Sequence, residues 1–306
     1  MPTILERQIG SLLGLACGDA VGTTVEFCAR GQFEPVKDMI GGGPFHLVPG
    51  QWTDDTSMAL CLAESLLECD GFNAWDQMDR YQRWYREGYL SATGRCFDIG
   101  HTVRAALKRY HKTGNPIAGS VHPHTSGNGA LMRLAPVVIY YTPRESEVLA
   151  YSALSSATTH ASPECLDAAM YMGWWLHRLY MGQAPTRLLR SALDWLETDA
   201  VTAISQGKFI GKSRSEIRGS GYVVESLEAA FWCLFQSDSF ESAVLMATNL
   251  GDDADTTAAI CGQLAGAFYG VQAIPQHWRQ RVWWGERIEQ LAFQLATSRQ
   301  ASLKCL

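Results

Sequence analysis

At 306 residues, with 47% hydrophobic and 18% charged side chains, the chain carries ample material for a core and lacks the make-up of a disordered protein. A formal net charge of −6 argues against the basic surface that tracks nucleic acid or anionic lipid, so an anionic ligand needs a local site. Nine cysteines without a C-x-x-C pair, mostly inside apolar runs, read as reduced core thiols of a cytoplasmic protein.

The first periodic segment predicts a helix over Ile4 to Val21. Its apolar stretch Ile9 to Cys17 has the outline of a signal peptide, but Glu6 offsets Arg7 where a basic region is required, so secretion is not expected. Gly10, Gly14, Gly18 and Gly22 recur every four residues. Each Gly in a helix costs up to ~1 kcal/mol relative to Ala, so a one-face stripe of them predicts a second backbone in close approach. The turn Gly41 to Pro44 precedes helices over Ser57 to Cys69, Trp75 to Tyr89 and Thr102 to His111, and the last of these runs into a second turn, Thr113 to Pro116. Beyond the loop His122 to Gly129 and the apolar run Ala130 to Val138, helices are expected over Glu145 to Thr158, Cys165 to Met181 and Thr186 to Leu196. The loop Gly207 to Gly221 leads to three more, Val223 to Gln236, Phe240 to Asn249 and Thr256 to Tyr269. Thr256 to Trp278 has no Asp, Glu, Lys or Arg and nearly the length of a membrane span, yet Gln263, Gln272, Pro275, Gln276 and His277 make it a buried helix followed by a turn. Gly262, Gly266 and Gly270 repeat the earlier spacing. Strand-like runs are few and short, and no repeat or linker divides the chain. An all-α single domain over residues 1–306 follows.

Two helix starts carry the chemistry. Trp52-Thr53-Asp54-Asp55-Thr56 precedes one helix, and Asn249-Leu250-Gly251-Asp252-Asp253-Ala254-Asp255-Thr256 precedes another. Either alone is explained as a helix cap, with Thr53 as N-cap and acids stabilised by the helix dipole. Together they supply enough carboxylate and hydroxyl oxygens for two Mg²⁺ or Mn²⁺ ions, while the absence of His/Cys ligand spacing argues against zinc.

These clusters take their place in a series: Gly10 to Gly22 with Asp19, Val25-Glu26-Phe27, Trp52 to Thr56, Gly94 to Gly100, Ser126-Gly127-Asn128-Gly129 through Met132-Arg133, Thr159-His160, Gly219 to Tyr222, and Asn249 to Thr256. In that order, over nearly the whole chain, the sequence resembles the ADP-ribosylglycohydrolases, and most closely their dinitrogenase reductase-activating, arginine-directed branch. The resemblance implies an all-α orthogonal fold with a binuclear Mg²⁺ or Mn²⁺ centre that grips the ribose hydroxyls and activates water. Thr53, Asp54 and Asp55 are the implied ligands from one side, and Asp253, Asp255 and Thr256 from the other. Many members have a second Gly where this chain has Asp252, which is therefore not expected to be a ligand.

By the same resemblance Asp98 acts as base or orients the substrate beside the scissile bond, although its residue-level reading is a helix N-cap. Glu26 is implied as an acid/base or gating residue near the metals. The Ser126–Gly129 loop would cradle the pyrophosphate with its N–H groups. His160 is assigned to phosphate or ribose, with a structural hydrogen-bonding role as the plainer alternative, and Tyr222 to stacking on adenine or covering the site. The implied activity is hydrolysis of mono-ADP-ribose from protein arginine. Alternatives are a serine-linked or small ester linkage, or a non-catalytic binder that counters an ADP-ribosylating toxin. The expected partners are an ADP-ribosylated protein and ADP-ribose, with no nucleic acid or membrane span, for a protein taken as a monomer.

Overall fold

The computed structural model describes residues 1–189, 191 and 193–302, without the side chains of 299–302. In chain order its helices are α1 (Ile4–Gly22), α2 (Asp54–Glu68), α3 (Ala74–Glu87), α4 (His101–Thr113), α5 (Ala135–Tyr141), α6 (Glu145–Ala157), α7 (Pro163–Tyr180), α8 (Pro185–Leu188), α9 (Asp199–Ser205), α10 (Val223–Gln236), α11 (Phe240–Thr248), α12 (Ala254–Tyr269), α13 (Gln276–Arg281) and α14 (Gly285–Ser302). Among the described residues there is no strand, only isolated bridges such as Gly127 to Tyr222. No helix among them is long and apolar enough to cross a membrane.

The glycine stripes meet. A Cβ built on Gly10, Gly14, Gly18 or Gly22 would stand 2.5, 2.3, 2.2 or 2.4 Å from the carbonyl oxygens of Gly266, Gly262, Ala258 and Ala254 respectively. The partner numbers fall as the first set rises, so α1 and α12 run antiparallel with their backbones in contact. Gly270 differs from its expected place in the stripe: it ends α12 at φ 80° and faces Pro2. Arg7, buried on α1, donates to the carbonyls of Ala267 (3.0 Å) and Phe268 (2.5 Å) and so satisfies the last turn of α12. The core around this pair includes Leu13, Leu15, Trp175, Phe231 and Ile260, all fully buried.

The expected helix Thr186 to Leu196 is reduced to α8, with Arg190 and Ala192 outside the described residues. Leu193, Trp195 and Leu196 pack on the core without helical backbone. The Asp167 carboxylate on α7 accepts from the N–H groups of Glu197 (2.9 Å) and Thr198 (2.6 Å), which takes the chain directly into α9. Four helices lie outside the predicted segments, α5, α9, α13 and α14. The eight described cysteines are unpaired, five of them buried, and Cys305 lies outside the described residues.

Candidate metal centre and active site

A buried acid organises the start of α2. Asp19, fully buried near the end of α1, accepts from the Thr53 N–H (2.9 Å) and hydroxyl (2.9 Å) and from the Thr56 N–H (3.0 Å) and hydroxyl (2.6 Å). Thr53 holds the N-cap position as expected, but its hydroxyl makes no cap bond, and the Asp19 carboxylate takes the N–H groups of Thr53 and Thr56 instead. Asp54 and Asp55 follow in the first turn, 6% and 1% exposed. Burial, then repulsion from Asp255, pushes both carboxyls well above their usual range.

The start of α12 is built in the same way. Glu26 accepts from the N–H groups of Ala254 (2.7 Å) and Asp255 (3.1 Å), and burial with repulsion from Asp255 and Asp253 raises its pKa. One oxygen from each of Glu26, Asp253 and Asp255 lies within 4.8 Å of the other two. Asp253 accepts from the Asn128 amide (2.8 Å), and burial followed by repulsion from Asp255 moves its pKa up to about 7. The Thr256 hydroxyl reaches across to Asp55 Oδ1 (3.2 Å) and joins the two helix starts, while Asp55 Oδ2 is buried without a protein partner. Converging carboxylates, an orphaned buried oxygen and neighbouring hydroxyls form a hard-oxygen donor set that fits Mg²⁺ or Mn²⁺. Asp252 is exposed at φ 61° with its backbone paired to Phe27 and Cys28, a left-handed position that suits Gly.

Glu26, Asp54, Asp98, Asp253, Asp255 and Thr256 line one cavity of about 510 Å³, whereas Thr53 and Asp55 are buried and do not line it. Asp98 has φ 60°, and burial with repulsion from Asp255 and Asp54 pushes its pKa up to about 12. It is not the N-cap of α4: that helix begins at His101, and Gly100 occupies the cap. Gly127, Asn128 and Gly129 form another part of the wall. A Cβ on Gly129 would fall 2.8 Å from the His160 ring, so this loop lies flat on the imidazole. His160 Nδ1 pairs with the Thr159 hydroxyl (2.8 Å), which accepts from Arg133 (2.8 Å). Burial beside Arg133 depresses the pKa of His160 to about 3, so the ring stays neutral.

Ser126 bonds Ser162 (2.8 Å) and, with Tyr222, lines an adjoining cavity of about 570 Å³. Tyr222 is 36% exposed and donates to Glu164 (2.7 Å). Sequence reading assigned no role to Asp19; the signal was an acid among apolar and Gly positions of a helix, where only a fully hydrogen-bonded carboxylate is tolerated. It also gave Phe27 and Phe45 no role, and both line the cavity.

The family model described as ADP-ribosylglycohydrolase matches residues 1–304. The ADP-ribosylarginine hydrolase Tri1 of Serratia proteamaculans is 45% identical over 95% of this chain and 79% of its own length. The ADP-ribosyl-dinitrogen reductase glycohydrolase of Rhodospirillum rubrum is 31% identical over 92% of each chain. A solved structure described as an ADP-ribosylglycohydrolase-related protein complex superposes with a TM-score of 0.85 at 42% identity, over 97% of this chain and 99% of that one. Matched along almost its full length by the family model and by these relatives, the chain belongs to the ADP-ribosylglycohydrolase family.

Proposed function

We propose that the protein is a binuclear-metal hydrolase that removes ADP-ribose from arginine side chains of modified proteins. The observation that carries this reading is the convergence of two acid-bearing helix starts, with Asp98 and Glu26, on one cavity. Two relatives named as ADP-ribosylarginine hydrolases, 45% and 44% identical, support arginine as the linkage. Asp54, Asp55, Asp253, Asp255, Thr256 and Thr53 are the proposed holders of two divalent cations. Thr53 requires its hydroxyl to turn from Asp19. Mg²⁺ or Mn²⁺ bound there would supply Lewis acidity to the ribose hydroxyls and to water.

The chain's own groups do the rest. The Gly127–Gly129 backbone, held flat on neutral His160, binds the pyrophosphate, and Tyr222 covers or stacks on the adenine from the adjoining cavity. Glu26 fixes the start of α12, and hence Asp253 and Asp255, in register with α2. With bound cations offsetting the repulsion from Asp255 and Asp54 that raises its pKa, Asp98 would ionise, orient the guanidinium and take a proton from the attacking water. The water oxygen bonds to the anomeric carbon as the carbon–nitrogen bond breaks toward nitrogen. The released guanidine then takes the proton. We further read the chain as one domain around one continuous core, monomeric, and, from the eight unpaired cysteines among the described residues, at home in the reducing cytoplasm.

Parallel assays on arginine-linked and serine-linked ADP-ribose, with the wild type and Asp98→Asn, test the assignment. The wild type should prefer the arginine linkage. Asp98→Asn should lose at least about a hundredfold in that turnover, with little change in ADP-ribose affinity. A serine preference, or undiminished arginine activity in the variant, contradicts it.

A further inference from the structure

The cavity has an aromatic wall for which the metals and the Ser126–Gly129 loop give no reason. Phe27 exposes 68% of its surface and has φ 63°, a left-handed backbone that is strained for a bulky side chain. It is held there. The Phe27 N–H donates to the Asp252 carbonyl (2.8 Å), and the Asp252 N–H donates to the Cys28 carbonyl (2.8 Å), so the backbone at Phe27 is tied to the residue before Asp253. Phe45 arrives on a loop that follows three left-handed glycines, Gly41, Gly42 and Gly43. A Cβ on Gly43 would stand 2.1 Å from the Thr23 carbonyl oxygen, which seats that loop against the end of α1.

The rings are contiguous. Phe27 and Phe45 meet edge to face at 6.2 Å, and Phe45 and Phe97 lie 5.2 Å apart. Each end of this row is next in sequence to a cavity acid: Glu26 precedes Phe27, and Asp98 follows Phe97. Phe45 also borders a small cavity of about 220 Å³ shared with Phe97 and Leu47, distinct from the one beside Tyr222.

Phenyl faces beside carboxylates suit a planar cation. A phosphate would be repelled by the acids, and a sugar hydroxyl would find no partner on the rings. A guanidinium can stack on an aromatic face while its N–H groups meet carboxylates. We propose that Phe27 and Phe45, with Phe97 supporting Phe45, form a stacking shelf for the guanidinium of the ADP-ribosylated arginine and so determine specificity for that leaving group. The proposal deepens the arginine-directed reading above and rests on it.

Phe27→Leu and Phe45→Leu keep apolar bulk at exposed and half-buried positions but remove the aromatic face. With the metal-loaded enzyme, kcat/KM for ADP-ribosyl-arginine and the Kd for ADP-ribose, which lacks the guanidinium, are measured together. Each variant should lose about three- to tenfold in kcat/KM while the Kd for ADP-ribose stays within about twofold. Unchanged kcat/KM overturns the shelf, and so does a parallel loss of ADP-ribose affinity, which would assign the rings to the nucleotide. A wild type that is idle on ADP-ribosyl-arginine yet active on the serine linkage overturns the parent reading instead.

Discussion

Asp252 and Asp253 are neighbours with opposite surroundings. Asp253 lines the cavity and accepts a hydrogen bond from Asn128, and repulsion from Asp255 helps to raise its pKa; Asp252 is exposed and contributes its backbone to the pairing with Phe27 and Cys28. On the proposed ligand assignment, removing the Asp253 carboxylate would leave the remaining acids without one of their shared cations, whereas an exposed side chain at a left-handed turn can be exchanged for Asn, which tolerates that backbone. Asp253→Ala should therefore weaken Mn²⁺ binding, read by isothermal titration, by at least about a hundredfold, and Asp252→Asn by no more than about twofold. Equal losses would place the ligand register one residue away from where it is assigned. Asp253 and Asp55 could be singled out in the sequence because acids crowd at a helix start. Asp19 could not be weighed in that way, because its importance comes from the four donors of a distant segment that converge on it.

The same contrast holds for the helices. The glycine stripes announced close contact between two segments, and α1 and α12 meet there backbone to backbone. α14 was equally legible: Ile288, Leu291, Ala292, Leu295 and Ala296 are buried at helical spacing, a pattern already present in the sequence. α5 was not, since every residue from Ala135 to Tyr141 is buried and no polar face marks a period. The segment after α8 misled because its leucines and tryptophan have helical spacing, while Asp167 draws the backbone into a different path. The stripe gives the sharpest test at this scale. A methyl group on Gly14 would lie 2.3 Å from the Gly262 carbonyl oxygen, whereas one on Gly211 would meet nothing within 4 Å. Chemical denaturation should show Gly14→Ala destabilised by about 3 kcal/mol and Gly211→Ala changed by less than about 0.5 kcal/mol. A neutral Gly14→Ala would mean that the two helices can separate without cost.

For the molecule as a whole, α12 links fold to chemistry. Arg7 satisfies its last turn, Glu26 its first, and the glycine contact fixes its height against α1, so that Asp253 and Asp255 arrive opposite Asp54 and Asp55. The sequence showed both acid clusters and their likeness to a family, because those are local patterns of residue type. It did not show the aromatic wall, the flat seating of the Gly127–Gly129 loop on His160, or the bond between Asn128 and Asp253, since each depends on segments brought together only in the folded chain. A cluster of carboxylates this buried is electrostatically unfavourable without protons or cations, and that places the divalent metal at the centre of the account. The most direct measurement is ADP-ribose release from ADP-ribosyl-arginine by protein stripped with chelator and then titrated with Mn²⁺. Turnover should be absent from the stripped protein and return as the cation is added; full turnover in protein verified to be metal-free would contradict it.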